Sequence, residues 1–377
     1  MNASKTWCEK DGHNIYDYYL DFNQWLESDE GANIRIEAGL DGLAQASKVF
    51  YVSDRLAYVQ AYQEYRIEQR HKTLNESFFN IKFSDEHWFS RNLSRFDQLL
   101  EKIDSGTVIP FVGAGISQDA DFPTWQEHLK QQGRTAGLDP KHVEALLESG
   151  KYEEVVEEIE NTRGRNVFTQ EIIDVFSVSG ALIKAKANWL IAELFTDTVI
   201  TTNYDRVIEQ TFETGKDKPY QVINGLNAME KLASDRVTII KLHGGVSEPE
   251  KCIFSKKQYD HAYGMGIVDL KLPIPKLLDY YYKNSSLLFL GCGLNNDRTV
   301  QVFRSIQEDI GDVGRLNHFA IEQAPENEKK LVERNEYLVK LGITGIWFEK
   351  NRFEYVERML NLAKSELKYR KASELLV

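Results

Sequence analysis

Four short segments of this chain join glycines to polar side chains in a way that suits chemistry at the end of a β-strand. Gly113-Ala114-Gly115-Ile116-Ser117 follows the apolar run TVIPFV (107–112). A strand that breaks into glycines lets backbone approach a pyrophosphate and offers it N–H donors, although a GxG pair also serves as a plain tight turn. Thr201-Thr202-Asn203-Tyr204-Asp205 closes the run TVITT (198–202) and puts an amide and a carboxylate where open α/β sheets bind ligands. Asn203 or Asp205 would serve equally to cap a helix beginning near Arg206. Lys241-Leu242-His243-Gly244-Gly245 ends VTIIKL (237–242) on an imidazole, a group that alone is more often structural than catalytic. Gly291-Cys292-Gly293-Leu294-Asn295-Asn296-Asp297 ends SLLFLG (286–291) on a second glycine-rich loop. Placed together on one sheet edge, the four segments make a dinucleotide crevice with a polar reaction centre.

The elements that must position them are legible as short β-branched runs alternating with longer helical stretches. NHFAI (317–321) and TGIWF (344–348) complete the set of runs. Each run is apolar on both faces, which strands buried on both sides require, so the fold class is α/β: a Rossmann-like, mostly parallel sheet with helices on both faces. About 85 residues of helical pattern separate the first two runs, too long for a simple crossover, so we place an inserted helical module at about 125–197. Its acidic stretch Glu153 to Glu160 reads as a solvated helix face. Residues 1–100 read as an aromatic-rich helical extension and 101–377 as the catalytic domain. In the extension Tyr58, Tyr62 and Tyr65 form a helical stripe after a Ser53 cap. That stripe is expected to pack on the main domain, or else the segment Tyr16 to Trp25 reaches another subunit or protein. After Arg352 a final amphipathic helix carries Lys368, Arg370 and Lys371 toward its C-terminus, as the helix dipole favours.

The whole composition narrows the partners. The 377 residues carry a formal charge of −12, so no global positive field draws in phosphate backbones, and we expect no direct nucleic-acid contact. Cys8, Cys252 and Cys292 form neither a disulfide framework nor a CxxC zinc site. The N-terminal residues lack the apolar core of a secretory signal, and Ser286 to Leu294 is too short to span a bilayer. We expect a cytoplasmic protein with no membrane partner.

The same motifs resemble the sirtuin family, in particular the divergent bacterial sirtuin-like proteins of anti-phage defence, over about residues 105–325. Gly113 to Ser117 matches G-A-G-I-S, Phe122 to Gln126 stands where I-P-D-F-R follows, Thr201 to Asp205 matches T-Q-N-I-D, and His243-Gly244 matches the catalytic histidine-glycine pair. Two departures qualify the match. The four-cysteine zinc module of deacetylating sirtuins is missing, and Thr124 and Gln126 replace the carboxylate and arginine of the second motif. Pro123-Thr124-Trp125 resembles the defence branch.

The resemblance implies NAD as a substrate, no zinc, and hydrolysis of the nicotinamide N-glycosidic bond to ADP-ribose and nicotinamide. It implies Asn203 holding the nicotinamide ribose or the attacking water and His243 as general base. Gly113, Ala114, Gly115 and Ser117 would cradle the pyrophosphate. Gly291, Gly293 and Leu294 would close around the adenosine half, with Thr202 and Asp205 also at the cofactor. Asp205 has a capping role of equal weight, and Asp121 and Glu322 are minor candidates. Cys292 reads as a small buried filler. An NAD-depleting enzyme must be held off in healthy cells, so we expect a homo-oligomer and a separately encoded partner, for which the resemblance implies candidates such as a HerA-type ATPase. Only about 30 residues follow the last expected strand, too few for an appended sensor domain. The alternatives are an NAD-dependent protein deacylase and a non-catalytic NAD or ADP-ribose scaffold.

Overall fold

The computed structural model describes residue 16 and residues 19–74, 86–177, 184–215, 219–230, 236–310 and 316–374. The chain divides into two compact units, Met1–Asn80 with Asn361–Val377, and Ile81–Leu360.

The larger unit is built on a parallel sheet. Its strands are β1 (Val108–Val112), β2 (Thr198–Thr201), β3 (Tyr220–Asn224), β4 (Val237–Lys241), β5 (Ser286–Leu290), β6 (His318–Gln323) and β7 (Ile343–Phe348), in the order β3-β4-β2-β1-β5-β6-β7. β1, β2, β4 and β5 are buried along their whole length, as their two-sided apolar sequence requires. β3 is the strand that the sequence reading missed. It is an edge strand with Val222 47% exposed, so its sequence lacks the continuous apolar run that marked the others. Pro110 in β1 has no N–H to give, and the pairing of β1 with β2 begins one residue past it, at Phe111 opposite Ile200. At the other edge, Asn92 of helix α5 (Glu86–Asp104) covers β7. Its amide donates to the Trp347 carbonyl at 3.2 Å and accepts from the Trp347 N–H at 3.1 Å.

Between β1 and β2 lies the helical module, α6 (Trp125–Thr135), α7 (Pro140–Glu148), α8 (Tyr152–Arg163) and α9 (Arg165–Phe176), then α10 (Lys186–Leu194). Val143, Leu147, Val155, Ile159, Phe168 and Ile172 form its own core. Thr124 caps α6 in a reciprocal box with Glu127. The rest of the unit comprises α11 (Val207–Thr214), α12 (Lys256–Tyr263), α13 (Pro273–Asn284), α14 (Arg298–Ile310), α15 (Glu328–Lys340) and α16 (Glu354–Glu374), whose last turns from Asn361 belong to the smaller unit. The acidic stretch of α8 is not uniformly solvated: Glu153 is held by Arg298, and an oxygen of Glu160 is buried.

The smaller unit holds α1 (Leu20–Glu27), α2 (Ala32–Glu37), α3 (Ala46–Ser53) and α4 (Arg55–Leu74). Its tyrosine stripe packs inside the unit itself. Tyr62 packs edge-on against Tyr19 with ring centres 4.6 Å apart, Tyr58 against Phe22 at 5.2 Å, and Tyr65 against Trp25 at 4.7 Å. The stripe and the Tyr16 to Trp25 segment therefore consume each other as one aromatic core. The start of α4 is also one residue from the expected place, because the carboxylate of Asp54, not Ser53, accepts the Ala57 N–H at 3.0 Å.

Candidate functional site

The carboxyl ends of β1, β2, β4, β5 and β6 open onto a cleft of about 800 Å³, in the range of small-molecule sites. Gly113, Ala114, Gly115, Thr202, Asn203, Asp205, His243, Gly291, Gly293 and Leu294 all contribute to its wall. The structure thus brings the expected site residues together, except Ser117, which is not in the wall. Glu322 is in the wall, whereas Asp121 is an exposed residue paired with Lys184 at 2.9 Å and lies outside it.

One end of the cleft is backbone. The loops after the neighbouring strands β1 and β5 interlock, with the Gly115 N–H donating to the Gly291 carbonyl at 3.0 Å and the Gly113 N–H to Leu290 at 2.9 Å. A Cβ on Gly113 would sit 2.5 Å from the Gly291 oxygen. One on Gly291, whose φ is +64°, would sit 2.5 Å from the Ile116 nitrogen. These glycines are required first by each other. Arg334 braces the second loop from α15, donating to the carbonyls of Gly293 at 2.9 Å and Leu294 at 3.2 Å while its guanidinium forks onto Glu322. Burial pushes the Glu322 carboxyl upward, and Arg334 opposes that shift. Cys292 is half-buried and lines the cleft rather than being the buried filler expected; it donates weakly to the Phe111 carbonyl at 3.3 Å, and burial raises its thiol.

The other end is made of side chains. Asn203, 5% exposed, donates from its amide to the Ser117 hydroxyl at 3.1 Å, and its carbonyl oxygen is buried without a hydrogen-bond partner. The Asp205 carboxylate accepts the Val207 N–H at 2.9 Å in an Asx turn one residue before the Arg206 N-cap of α11. Burial raises the Asp205 carboxyl while the ammonium of Lys241 opposes the shift. Lys241 donates to the Asp205 carbonyl and to the buried carboxylate of Glu209 at 2.9 Å. Tyr204 turns toward the helical module, its ring 4.8 Å from Phe254 and 5.1 Å from Trp125.

His243 lies between two tyrosines of α12. Its Nε2 is 2.7 Å from the Tyr263 hydroxyl and its Nδ1 3.4 Å from that of Tyr259. Burial lowers the imidazole to about 4, so the ring is neutral at pH 7. The sequence reading missed these partners, although Tyr259 and Tyr263 stand four apart and share a helix face. It also missed the rim. Arg298, at the start of α14, donates to Glu153 at 2.6 Å, to Asp260 at 2.6 Å and to the Gly264 carbonyl at 3.1 Å. Asp297 beside it accepts the Val300 N–H at 2.9 Å, and burial lifts its carboxyl to about 6.

No group of three His, Cys, Asp or Glu side chains among the described residues is arranged to hold a metal ion, and no described helix is long and apolar enough to cross a membrane.

Within this glycine-looped parallel α/β sheet, which carries an asparagine and a histidine at neighbouring strand ends, residues 197–346 match the SIR2-like domain family. The chain is similar to sirtuin-like proteins over this region. It is 28% identical over 203 residues to the NAD(+) hydrolase ThsA of Acinetobacter baumannii (strain 532279), covering 53% of this chain and 39% of that one. It is 27% identical over 273 residues to the NAD(+) hydrolase ThsA of Cytobacillus dafuensis, covering 71% and 50%. Defense-associated sirtuin 2 of Bacillus subtilis is 24% identical over 273 residues, covering 69% and 25%. The chain thus spans half or less of the length of these relatives.

Proposed function

We propose that this chain is an NAD hydrolase that cleaves the nicotinamide N-glycosidic bond to give ADP-ribose and nicotinamide, and that it acts in anti-phage defence by depleting NAD. The observation that carries the reading is the carbonyl oxygen of Asn203, buried and without a hydrogen-bond partner in the wall that also holds His243. A buried acceptor left open costs stability unless a ligand completes it, and a ribose hydroxyl or an attacking water supplies the missing donor. The leaving nicotinamide departs neutral, so the task of the site is to orient ribose and water while positive charge spreads over the sugar. In this reading Asn203 and the neutral His243 serve that task, Gly113, Ala114 and Gly115 take the pyrophosphate, and Gly291, Gly293 and Leu294 close on the adenosine half. The names of the similar proteins, two of them NAD(+) hydrolases and one a defence-associated sirtuin, support the same assignment.

The proposal includes a cytoplasmic location, supported by three cysteines without a paired framework. It also includes self-association and control by a separately encoded partner such as a HerA-type ATPase, supported by the need to restrain an NAD-consuming site. The test is chromatography of nicotinamide and ADP-ribose after incubating purified chain with NAD, beside Asn203→Ala and His243→Ala. Release by the wild type that is lost in both variants supports hydrolysis at this site. Release that depends on an acyl-lysine peptide replaces hydrolysis with deacylation, and NAD binding without release points to the scaffold.

A further inference from the structure

We infer that Lys241 is a positioning residue for the reaction centre: paired with Glu209 behind the cleft, it ties the turn that carries Asn203 to the strand that leads into His243. This deepens the hydrolase reading and rests on it only for its consequence in turnover.

Lys241 is the last residue of β4, two residues before His243. Its side chain is 4% exposed, and that of Glu209, in the first turn of α11, is 5% exposed. Neither belongs to the cleft wall. The Lys241 ammonium donates to Oε1 of Glu209 at 2.9 Å and to the backbone carbonyl of Asp205. That carbonyl precedes the Arg206 N-cap, whose own oxygen takes the first helical bond, from the Gln210 N–H at 2.9 Å. The ladder of α11 therefore has no donor for the Asp205 carbonyl, and Lys241 supplies one. The preceding carbonyl, that of Tyr204, accepts the Val246 N–H at 3.0 Å. Two successive carbonyls of the Asn203 turn are thus held by residues that flank His243.

The make-up of the pair favours this role over a purely structural one. Burying an ammonium and a carboxylate gains nothing over two apolar side chains of similar volume unless the remaining polar atoms are satisfied as well. Oε2 of Glu209 is buried without a hydrogen-bond partner among the described residues, so that condition is not met. An apolar pair would fill the same space but could not hold the Asp205 carbonyl. Gly245 fits the same reading, because a Cβ there would sit 2.6 Å from Cε of Lys241, in the room that the lysine chain takes. Asn203 is tied from the other side, by its backbone N–H to the Thr201 hydroxyl at 3.0 Å and by its amide to Ser117. Lys241 closes this frame around the one Asn203 oxygen left for a ligand.

The experiment replaces both partners at once, Lys241→Met with Glu209→Leu, so that no charge is left buried alone. Urea unfolding is expected at or above the wild-type midpoint. Hydrogen exchange of segment 203–207, read by mass spectrometry on the full chain without NAD, is expected to quicken about tenfold. The kcat for NAD is expected to fall about tenfold, with KM within about twofold of wild type. Wild-type exchange or wild-type kcat in the folded double variant overturns the inference. Should the double variant not fold, Lys241→Gln carries the same test, because its shorter side chain can meet Glu209 but stops short of the Asp205 carbonyl. The same two changes are expected there, and wild-type values again overturn the inference. Failure of both variants to fold makes the pair purely structural and overturns it as well. Quickened exchange in the variant of a chain whose wild type releases no nicotinamide overturns the hydrolase reading and leaves the tie between Lys241 and the turn standing.

Discussion

The two ends of the cleft are built from opposite materials. At the β1 and β5 end, main chain packs on main chain, and the absence of Cβ atoms at Gly113, Gly115 and Gly291 is what allows the loops to touch. At the β2 and β4 end, polar side chains are buried against each other, and two acceptors are left over, one on Glu209 behind the cleft and one on Asn203 in its wall. The first end satisfies itself; the second is completed only by something that enters. Shape and stability should therefore reside in the glycine loops, and chemistry with a cost in stability should reside in Asn203 and His243.

Asn203→Ala puts the most pressure on this contrast. Turnover of NAD is expected to fall about 10³-fold, roughly 4 kcal/mol of transition-state stabilisation. Stability to urea should stay within about 1 kcal/mol of wild type, since the change removes one hydrogen bond and one unpartnered oxygen together. A stability loss of several kcal/mol would make Asn203 a structural residue and erase the contrast. Gly291→Ala should behave in the opposite way. Its φ of +64° disfavours a side chain, and the new Cβ meets backbone, so about 3 kcal/mol or more of stability is expected to go, read as a lower unfolding midpoint.

The acid response probes the side-chain end. His243 is lowered from 6.5 to about 4 by burial, so below pH 6.5 the unfolded chain takes up a proton that the folded chain refuses. This contribution is absent above pH 6.5 and grows as pH falls, levelling off near pH 4 at about 3 kcal/mol of lost stability. Asp297, raised from 3.8 to about 6, acts in the opposite sense, because its folded form gains a proton first. The comparison that isolates the histidine is His243→Gln against wild type: between pH 7 and pH 4 the variant should lose about 3 kcal/mol less. Equal losses would mean that His243 is not buried as a neutral ring.

The sequence carried more of this site than of the smaller unit, for a physical reason. Strands buried on both faces leave uninterrupted apolar runs, and their ends leave glycines and polar groups at fixed places, so β1, β2, β4 and β5 and the residues after them were legible. β3 was not, because an edge strand with an exposed Val222 needs no such run. The Tyr58, Tyr62 and Tyr65 stripe was visible as a stripe, but nothing in its spacing says which surface it meets, and it met Tyr19, Phe22 and Trp25. The partners of His243 and of Arg298 come from helices tens of residues away, a distance at which side-chain pairing leaves no periodic trace. Ser117 shows the converse, since its place in the glycine motif suggested a phosphate contact, while its hydroxyl accepts from the Asn203 amide.

The rim should respond least. Glu153 of α8 holds Arg298 of α14 with two contacts, 2.6 and 3.1 Å, and both side chains are mostly buried. Removing one partner of a buried pair is costly when the other is left alone, but Arg298 keeps Asp260 at 2.6 Å and the Gly264 carbonyl. Glu153→Gln retains the shape and one acceptor, so we expect a loss of only about 1 kcal/mol in urea unfolding. The same pair joins the helical module to the helix that opens after the second glycine loop, so its loss should loosen the cleft mouth more than the reaction centre. NAD turnover should then show a raised KM with kcat within about twofold of wild type. A fall in kcat with KM unchanged would place Arg298 among the groups that act on the reacting sugar, and the division of the cleft into a self-satisfied end and a reactive end would need a third part.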